Sequence, residues 1–224
     1  MREIVLDRET TGLDPASGNR IVEIGCVELE NYVPSGATYH QYINPERDMP
    51  DEAFAVHGLS EAFLEDYPTF AKVADAFCTF IGDAPLVIHN AAFDMGFINA
   101  ELARLDRPAI PISRAIDTVH MARKKFPGAP ASLDALCRRF GIDNQARTKH
   151  GALLDADLLA SVYLELVGGR QQDLALSAEK GSTQIAVEAV DRPFRPARKH
   201  EPTSEERAAH VAFVEGLSEP VWRR

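Results

Sequence analysis

The chain has 224 residues, of which 45% are hydrophobic and 26% charged, and this globular composition excludes a wholly disordered or collagen-like protein. No apolar run approaches the roughly 18–20 residues that a membrane-spanning helix needs. The formal net charge of −10 argues against a protein that clamps duplex nucleic acid through a broad basic surface. The same charge is compatible with an enzyme that gathers carboxylates around metal ions and contacts only the end of a strand.

The cysteines and the N-terminus predict a cytoplasmic protein. The three cysteines are odd in number and far apart, without the spacing of a metal site: Cys26, Cys78 and Cys137. Reduced thiols in the core are typical of cytosolic proteins. The apolar stretch at residues 4–6 is too short for a secretory signal peptide.

Apolar patterning predicts an α/β fold that has a mixed sheet with helices on both faces. Strands are predicted over residues 2–7, 20–29, 38–43, 86–89 and 115–116, with Pro34-Ser35-Gly36 as the turn between the second and third. Helices are predicted over residues 70–81, 93–105, 118–125, 132–140 and 151–167. The last of them is followed by Gly168-Gly169, which is typical of a helix C-terminus.

The composition changes after Gly169 and predicts separate C-terminal segments. We expect a globular domain over residues 1–170, a short segment over 171–176, a flexible linker over 177–202 and a helical tail over 203–224. Thr203 and Glu206 form the capping-box pattern that begins a helix, and apolar residues follow at helical spacing. A helix of this length is marginal in water, so we expect it to become ordered mainly on a partner.

Two carboxylates follow the first predicted strand at a spacing of two residues. Asp7 and Glu9 come directly after Ile4-Val5-Leu6, so their side chains leave the same face of the strand. Two carboxylates so placed repel each other unless a cation lies between them. A solvated loop pair is the alternative, which chance favours in a chain with 34 acidic residues.

Asp94 follows the predicted strand at 86–89 and has two interpretations. It could cap the next helix, which is a common role for aspartate, and taken alone it favours that interpretation. Alternatively, it lies at the carboxyl edge of the sheet, where open α/β sheets bind their ligands.

Asp155 falls on the apolar stripe of the last long predicted helix. It shares that stripe with Leu159, Val162 and Leu166, whereas Asp157 falls on the opposite, polar stripe. A carboxylate rarely faces a protein core without a partner. Either a buried salt bridge or a metal ion would satisfy it.

These four carboxylates (Asp7, Glu9, Asp94 and Asp155) offer only oxygen ligands, which favour Mg²⁺ or Mn²⁺ over zinc. Two such ions about 3.5–4 Å apart promote in-line attack on a phosphodiester. His150, at the start of the last long helix, could accept a proton from the attacking water near neutral pH. A structural role is the alternative for His150, and it is the commoner role of a lone histidine.

Three segments, in this order, resemble the exonuclease motifs of the DEDDh family: Asp7-Arg8-Glu9-Thr10-Thr11-Gly12, His89-Asn90-Ala91-Ala92-Phe93-Asp94, and His150 followed five residues later by Asp155. Each motif alone is weak, but the ordered set is specific. The similarity is greatest to the proofreading members that serve bacterial DNA polymerase III, and it covers residues 2–176 and 203–224. It implies a ribonuclease-H-like fold with a five-stranded mixed sheet, and a 3′→5′ exonuclease that releases nucleoside monophosphates.

The resemblance also implies a role for individual residues. Two metal ions, Mg²⁺ or Mn²⁺, would be held by Asp7, Glu9, Asp94 and Asp155, with His150 as the general base. Substrate contacts are implied for Asp7, Glu9, Thr10, Thr11, Gly12, Glu52, His57, Asn90, Phe93 and Asp155. Within this set Glu52 and His57 would contact the terminal nucleotide, while Asn90 and Phe93 would line the strand channel. The alternatives are a core position for Phe93, a turn for Asn90 and a role for His57 as a loop-fixing hydrogen-bond donor.

Arg8 departs from the family pattern, which usually has a small or apolar residue between the first two acids. Strand geometry directs Arg8 to the face of Ile4 and Leu6, away from the face of the metal ligands. An unpaired cation buried there would be strongly destabilising. Three outcomes are open: Arg8 reaches solvent at the strand end, it has an acidic partner, or the site is perturbed.

The resemblance extends to two attachment segments of a replicase. Gln171, Leu174 and Leu176 match the short peptide by which bacterial replication proteins bind the beta sliding clamp. The tail residues expected to bind the polymerase (alpha) subunit are Val211, Val214, Leu217 and Trp222. Trp222 would be the aromatic anchor of that interaction.

Three functions fit these features. The first is a proofreading exonuclease that acts on single-stranded or frayed DNA 3′ ends within a replicase. The second is an RNA-trimming DEDDh exonuclease, which would need neither the clamp-like peptide nor the tail. The third is a non-catalytic tether between polymerase and clamp whose site Arg8 has disabled, and the retained carboxylates and His150 argue against it.

Overall fold

The computed structural model describes residues 1–145, 149–169 and 201–218. The chain divides into two compact units, residues 1–175 and 176–224, which are described separately here. The predicted clamp-binding residues Gln171, Leu174 and Leu176 lie outside the described residues, as do Trp222 and most of the predicted linker. No helix in the described ranges is both long and apolar enough to cross a membrane.

The first unit is organised around one five-stranded mixed sheet, as the sequence predicts. Its strands are β1 (Arg2–Thr10), β2 (Ile21–Glu30), β3 (Val33–Tyr42), β4 (Leu86–Ile88) and β5 (Ala115–Asp117). They lie in the order β3-β2-β1-β4-β5. The three early strands pair antiparallel, whereas β1, β4 and β5 run parallel, so β1 is the central strand of the sheet.

Eight α-helices are described. They are α1 (Asp51–His57), α2 (Glu61–Leu64), α3 (Phe70–Ile81), α4 (Ala91–Ala103), α5 (Thr118–Lys125), α6 (Leu133–Phe140), α7 (Ala152–Val167) and, in the second unit, α8 (Ser204–Glu215). The long predicted helices are all present, to within two residues at each end. The short helices α1 and α2 were not predicted, because neither is long enough to show an apolar period.

The turn between β2 and β3 is not where the sequence places it. Asn31 and Tyr32 form the tight turn, with φ of 52° and 69°. Two left-handed residues give the backbone twist that a two-residue hairpin needs. Pro34, predicted to be in the turn, instead pairs with Leu29 inside β3. Proline is tolerated there because β3 is an edge strand.

Side chains of β1 alternate between two cores. Ile4 and Leu6 pack with α3 and α4 in one apolar cluster, which includes Phe77 and Phe97. Val5 packs on the other face, in the cluster that contains α7. Because side chains alternate along a strand, Asp7 leaves β1 on the face of α7 and Arg8 leaves it on the face of α4. This alternation decides the neighbours of every charged residue at the end of β1.

In the second unit, α8 begins with the predicted capping box. The Thr203 hydroxyl accepts a hydrogen bond from the Glu206 backbone N–H at 3.2 Å, and the Glu206 carboxylate accepts one from the Thr203 N–H at 2.8 Å. Val214 is buried, whereas Val211 and Leu217, predicted to share its apolar stripe, remain 48% and 38% exposed. The helix therefore presents apolar side chains that its own unit does not cover.

Candidate active site

Asp7 and Glu9 lie in the last four residues of β1, at the carboxyl end of the central strand. Asp7 is paired in register with Gly25 of β2, and Glu9 is paired with Glu23. Both carboxylates leave the face that α7 covers, because they share the alternation of Val5. The prediction that they leave the same face of one strand is therefore confirmed.

Gly25 allows α7 to approach the sheet at this point. A Cβ atom at Gly25 would lie 2.3 Å from the backbone of Ala152 and of Leu153, in the first turn of α7. Any other residue would push that turn away from β2. Since Asp155 is in the same turn and Asp7 is opposite Gly25, the glycine positions the two carboxylates toward each other. A glycine within an apolar strand is the signal by which the sequence could have indicated this contact.

His150 and Asp155 approach Glu9 from the start of α7. His150 Nδ1 lies 3.2 Å from Asp155 Oδ2, and ligand atoms of Glu9, His150 and Asp155 all lie within 4.8 Å of one another. Asp155 is buried, whereas the side chain of His150 is 44% exposed. These three residues form a cluster that could hold a metal ion. The sequence analysis predicts His150 as a general base beside the metal ligands, not as a ligand itself.

The start of α7 is tied to α1 across the mouth of this cluster. The His150 backbone N–H donates to the Val56 carbonyl at 3.3 Å. The Lys149 ammonium lies 5.1 Å from the centroid of the Phe54 ring. These contacts place His57, the last residue of α1, on the same side of the sheet edge as His150.

Asp94 is not a helix cap. The N-cap of α4 is Asn90, and Asp94 lies inside the first turn. Its side chain is buried, and its Oδ1 atom has no hydrogen-bond partner among the described residues. The cap interpretation is wrong because α4 begins at Ala91, two residues before the predicted start. A buried carboxylate without a capping role needs another source of stabilisation.

Arg8 supplies part of that stabilisation. Its Nε atom lies 3.5 Å from Asp94 Oδ1, and both side chains are less than 5% exposed. The guanidinium carbon lies 4.1 Å from the centroid of the Phe93 ring and 4.8 Å from that of Phe97. Of the three outcomes left open for Arg8, the structure shows the second, an acidic partner on the face of Ile4 and Leu6.

The carboxylates destabilise one another's charged forms. Burial raises the pKa of Asp7 well above its usual value, and the charges of Asp94, Glu9 and Asp155 raise it further. Burial also raises the pKa of Glu9 to about 7, against the lowering effect of His150. The pKa of Asp94 is about 6, since burial outweighs the lowering effect of Arg8. The protein thus concentrates more negative charge here than it neutralises.

A cavity of about 330 Å³ opens beside Glu9. Its lining includes seven of the residues for which substrate contacts were predicted: Glu9, Thr10, Thr11, Gly12, Glu52, His57 and Phe93. Arg8 also contributes to the wall. Volumes of this order are typical of small-ligand pockets. Asp7 and Asp155 are not in this lining, and Asn90 lines a separate, more polar depression with His89 and Asp117.

His57 is held in the wall of this cavity in a defined tautomer. Its Nδ1 atom accepts a hydrogen bond from the Leu59 backbone N–H at 3.0 Å, while its Nε2 atom is buried without a partner among the described residues. Burial lowers the pKa of His57, so the neutral ring carries its proton on Nε2. A loop-fixing hydrogen bond is therefore present, but Nδ1 accepts it and does not donate it, and a hydrogen bond with the Thr10 backbone partly offsets the lowering of the pKa of His57.

The hydroxyl groups of the first motif have partners of their own. Thr10 Oγ1 donates to the Gly12 carbonyl at 2.7 Å, and Thr11 Oγ1 accepts from the Arg20 backbone N–H at 3.0 Å. The implied hydroxyl contacts to substrate thus compete with bonds that shape this loop. Asn90 adopts a left-handed φ of 71°, which supports its alternative interpretation as a turn residue.

Comparisons with known proteins identify the family to which this chain belongs. The exonuclease family model matches residues 4–163. The chain is 50% identical to the DNA polymerase III subunit epsilon of Rickettsia felis over 222 residues, which is 97% of each chain. It is 48% identical to the Escherichia coli subunit of the same name, covering 96% of this chain and 92% of that one.

Solved structures show the same fold at lower identity. Exonuclease X in complex with 5′ overhanging duplex DNA matches with a TM-score of 0.56 and 25% identity, covering 74% of this chain and 90% of that one. The nuclease domain of 3′hExo, a DEDDh family member bound to rAMP, matches with a TM-score of 0.64 and 18% identity, covering 74% and 91%.

Fold and site together define the class: a ribonuclease-H-like nuclease of the DEDDh type, whose activity depends on divalent metal ions. Within that class the chain belongs to the exonuclease family and, by identity along nearly its whole length, to the DNA polymerase III epsilon subunits. The prediction of a proofreading 3′→5′ exonuclease is confirmed at this level.

Proposed function

We propose that Asp7, Glu9, Asp94 and Asp155 hold two divalent ions, Mg²⁺ or Mn²⁺, at the end of β1. The observation that carries this proposal is the convergence of buried carboxylates whose negative charge lacks a sufficient counter-charge. The donor set fits such ions, since it consists of carboxylate oxygens, with His150 at its edge. Asp94 Oδ1, buried without a hydrogen bond among the described residues, is one more acceptor that a cation would satisfy.

Bound ions of this kind supply Lewis-acid stabilisation of the negative charge that develops during phosphodiester hydrolysis. The protein's own contribution to the proton transfer is assigned to His150. Its side chain is accessible to water, and Nδ1 is oriented toward Asp155, so Nε2 would accept the proton of the attacking water. The water oxygen bonds to phosphorus, the bond from phosphorus to the 3′ oxygen of the preceding nucleotide breaks, and that oxygen takes up a proton from solvent. The products are a nucleoside 5′-monophosphate and a strand shortened by one residue.

The 330 Å³ cavity would bind the terminal nucleoside. His57 offers a buried Nε2–H donor to it, and Phe93 offers a ring face, which suits recognition of any base by stacking. Glu52, exposed on α1, would contact the sugar end of the nucleotide. This arrangement recognises a single, unpaired 3′ end and does not read sequence.

A direct test is degradation of 3′-labelled primers by the full-length protein. We expect single-stranded and 3′-mismatched DNA primers to be shortened faster than matched ones, because only an unpaired end can enter the cavity. Mg²⁺ or Mn²⁺ should be required, and EDTA should stop the reaction. A 5′-labelled strand with a blocked 3′ end is the control. Faster cleavage of a matched RNA oligonucleotide than of DNA would favour the RNA-trimming alternative.

We further propose that this exonuclease works within a replicase. The similarity of this chain to the epsilon subunits includes its C-terminal region. In that region, α8 leaves the side chains of Val211, Phe213 and Leu217 exposed. Under this proposal residues 1–170 are the catalytic domain, 171–176 bind the beta sliding clamp, 177–202 form a flexible linker and 203–224 bind the polymerase alpha subunit. DNA 3′ ends would reach the site while the enzyme remains tethered.

The tail assignment predicts separable binding defects. Trp222→Ala should reduce affinity for the polymerase subunit by on the order of 2–4 kcal/mol, as loss of an aromatic anchor does. A Gln171/Leu174/Leu176 triple-alanine variant should lose affinity for the clamp alone, so each variant controls for the other. Binding titrations with both partners measure the effects. If residues 1–169 bind the polymerase subunit as tightly as the full chain does, the tail is not the attachment site.

A further inference from the structure

Arg8 is a buried cation in direct contact with one proposed metal ligand. Its Nε atom lies 3.5 Å from Asp94 Oδ1, a longer separation than a normal hydrogen bond. Neither Arg8 Nε nor Nη2 has a hydrogen-bond partner among the described residues, and both atoms are buried. The guanidinium is therefore retained by charge and by packing against two rings, not by a saturated hydrogen-bond network.

The surroundings of Arg8 restrict where its charge can go. The rings of Phe93 and Phe97 lie on it at 4.1 and 4.8 Å, and its side chain is only 4% exposed. Both phenylalanines belong to α4, the helix that carries Asp94. Moving the guanidinium away from Asp94 would forfeit the cation–π contacts as well as the ion pair. The cation is thus fixed beside the same carboxylate that a metal ion would use.

We propose that Arg8 is an internal counter-ion that competes with a divalent ion for Asp94. It weakens the binding of the ion that Asp94 coordinates, relative to the same site with a neutral residue at position 8. The inference rests on the proposed metal site and adds a determinant of its metal affinity. Like charges sharing one buried carboxylate repel each other strongly, because the interior screens them less than water does. Glu9 leaves β1 on the face opposite to that of Arg8, so an ion that Glu9 and Asp155 would hold should be affected less.

The experiment is a titration of the full-length, metal-free protein with Mn²⁺, followed by calorimetry and by the EPR signal of free Mn²⁺. We expect two binding steps in the native protein. Arg8→Met, which packs against the same two rings without a charge, should tighten the weaker step about tenfold, within the range of ordinary site-to-site coupling. Arg8→Thr should do the same if it folds, and Arg8→Lys should keep the weak step.

A matched control removes a different positive charge, at the opposite end of α4 from Asp94. Arg104 follows α4, is 36% exposed and pairs with Glu101, so Arg104→Met should leave both binding steps unchanged. Equal effects of Arg8→Met and Arg104→Met would overturn the inference, since net charge alone would then explain them. Unchanged or weaker Mn²⁺ binding in Arg8→Met would also overturn it.

The same titration separates failure of this inference from failure of the metal site itself. Asp7→Ala should lose Mn²⁺ binding whatever stands at position 8. If native protein and Asp7→Ala bind Mn²⁺ alike, the proposed site is wrong and the role of Arg8 falls with it. If Asp7→Ala loses binding while Arg8→Met behaves as native, only the inference about Arg8 is wrong. Thermal stabilisation by Mn²⁺, which should be larger in Arg8→Met, is an independent readout.

Discussion

Replacing Asp7 with alanine should abolish exonuclease activity and leave the fold intact. The charges of Asp94, Glu9 and Asp155 all raise the pKa of Asp7. Asp7 is therefore close to the other three carboxylates, and its loss removes the centre of the proposed metal site. Its side chain contributes charge rather than packing to β1. Release of labelled monophosphate from a single-stranded DNA under Mg²⁺ measures the activity, and circular dichroism reports the fold.

Asp157 provides the matched control for this substitution. It lies on the exposed side of α7, two residues from Asp155. Asp157→Ala removes the same functional group from the same region and should keep native activity. Substantial nuclease activity in Asp7→Ala under Mg²⁺ would contradict the two-metal assignment.

The same carboxylates make the stability of the metal-free protein depend on pH. The pKa of Glu9 is about 7 and that of Asp94 about 6, and the pKa of Asp7 is raised as well. In the unfolded chain such groups titrate near pH 4. The folded state therefore binds more protons between about pH 4 and 7, and its free energy of unfolding falls as the pH rises through that window.

Denaturation by urea in EDTA should thus show lower stability at pH 8 than at pH 5.5. Asp7→Asn should reduce this difference, because it removes one buried negative charge at nearly constant shape. Added Mn²⁺ should also reduce it in the native protein and not in Asp7→Asn. A pH-independent free energy of unfolding in EDTA would show that the carboxylates are better neutralised than the structure indicates.

Patterns that act over a single element could be predicted from the sequence. The alternation of β1 predicts that Asp7 and Glu9 share a face, and the stripe of α7 identifies Asp155 as the acid that needs a partner. Both features depend on the period of one strand or helix. The order of three such motifs was sufficient to indicate the family. Even Arg8 could be assigned to its face of the sheet by alternation alone.

Contacts between elements could not be predicted in the same way. The pairing of Glu23 with Glu9 depends on strand register, and the role of Gly25 depends on where α7 crosses β2. The sequence could not identify the acidic partner of Arg8, because that partner, Asp94, lies in the first turn of α4 and the position of this turn against β1 was not known. The cap interpretation of Asp94 failed for the same reason. Asn90 was expected in the strand channel, but its left-handed backbone directs it to a neighbouring depression.

Substituting His150 with alanine should reduce turnover by about 10²–10⁴-fold, the usual contribution of a positioned general base. The affinity for Mn²⁺ should change little, because the four carboxylates are the proposed ligands. His150 Nδ1 lies 3.2 Å from Asp155, which orients the ring, and the exposed side chain is accessible to water. Single-turnover cleavage at saturating DNA and Mn²⁺ separates turnover from binding.

The structure also allows a second role for His150, that of a metal ligand. Its ring nitrogen is close enough to Glu9 and Asp155 for the three to hold one ion together. If His150 were a ligand, His150→Ala would weaken Mn²⁺ binding in the calorimetric titration, and excess Mn²⁺ would restore turnover. A base has the opposite signature: excess metal does not restore the rate, whereas added imidazole restores part of it. The Mn²⁺ titration and the imidazole titration both use His150→Ala and the same DNA. Together they therefore assign His150 to one role and exclude the other.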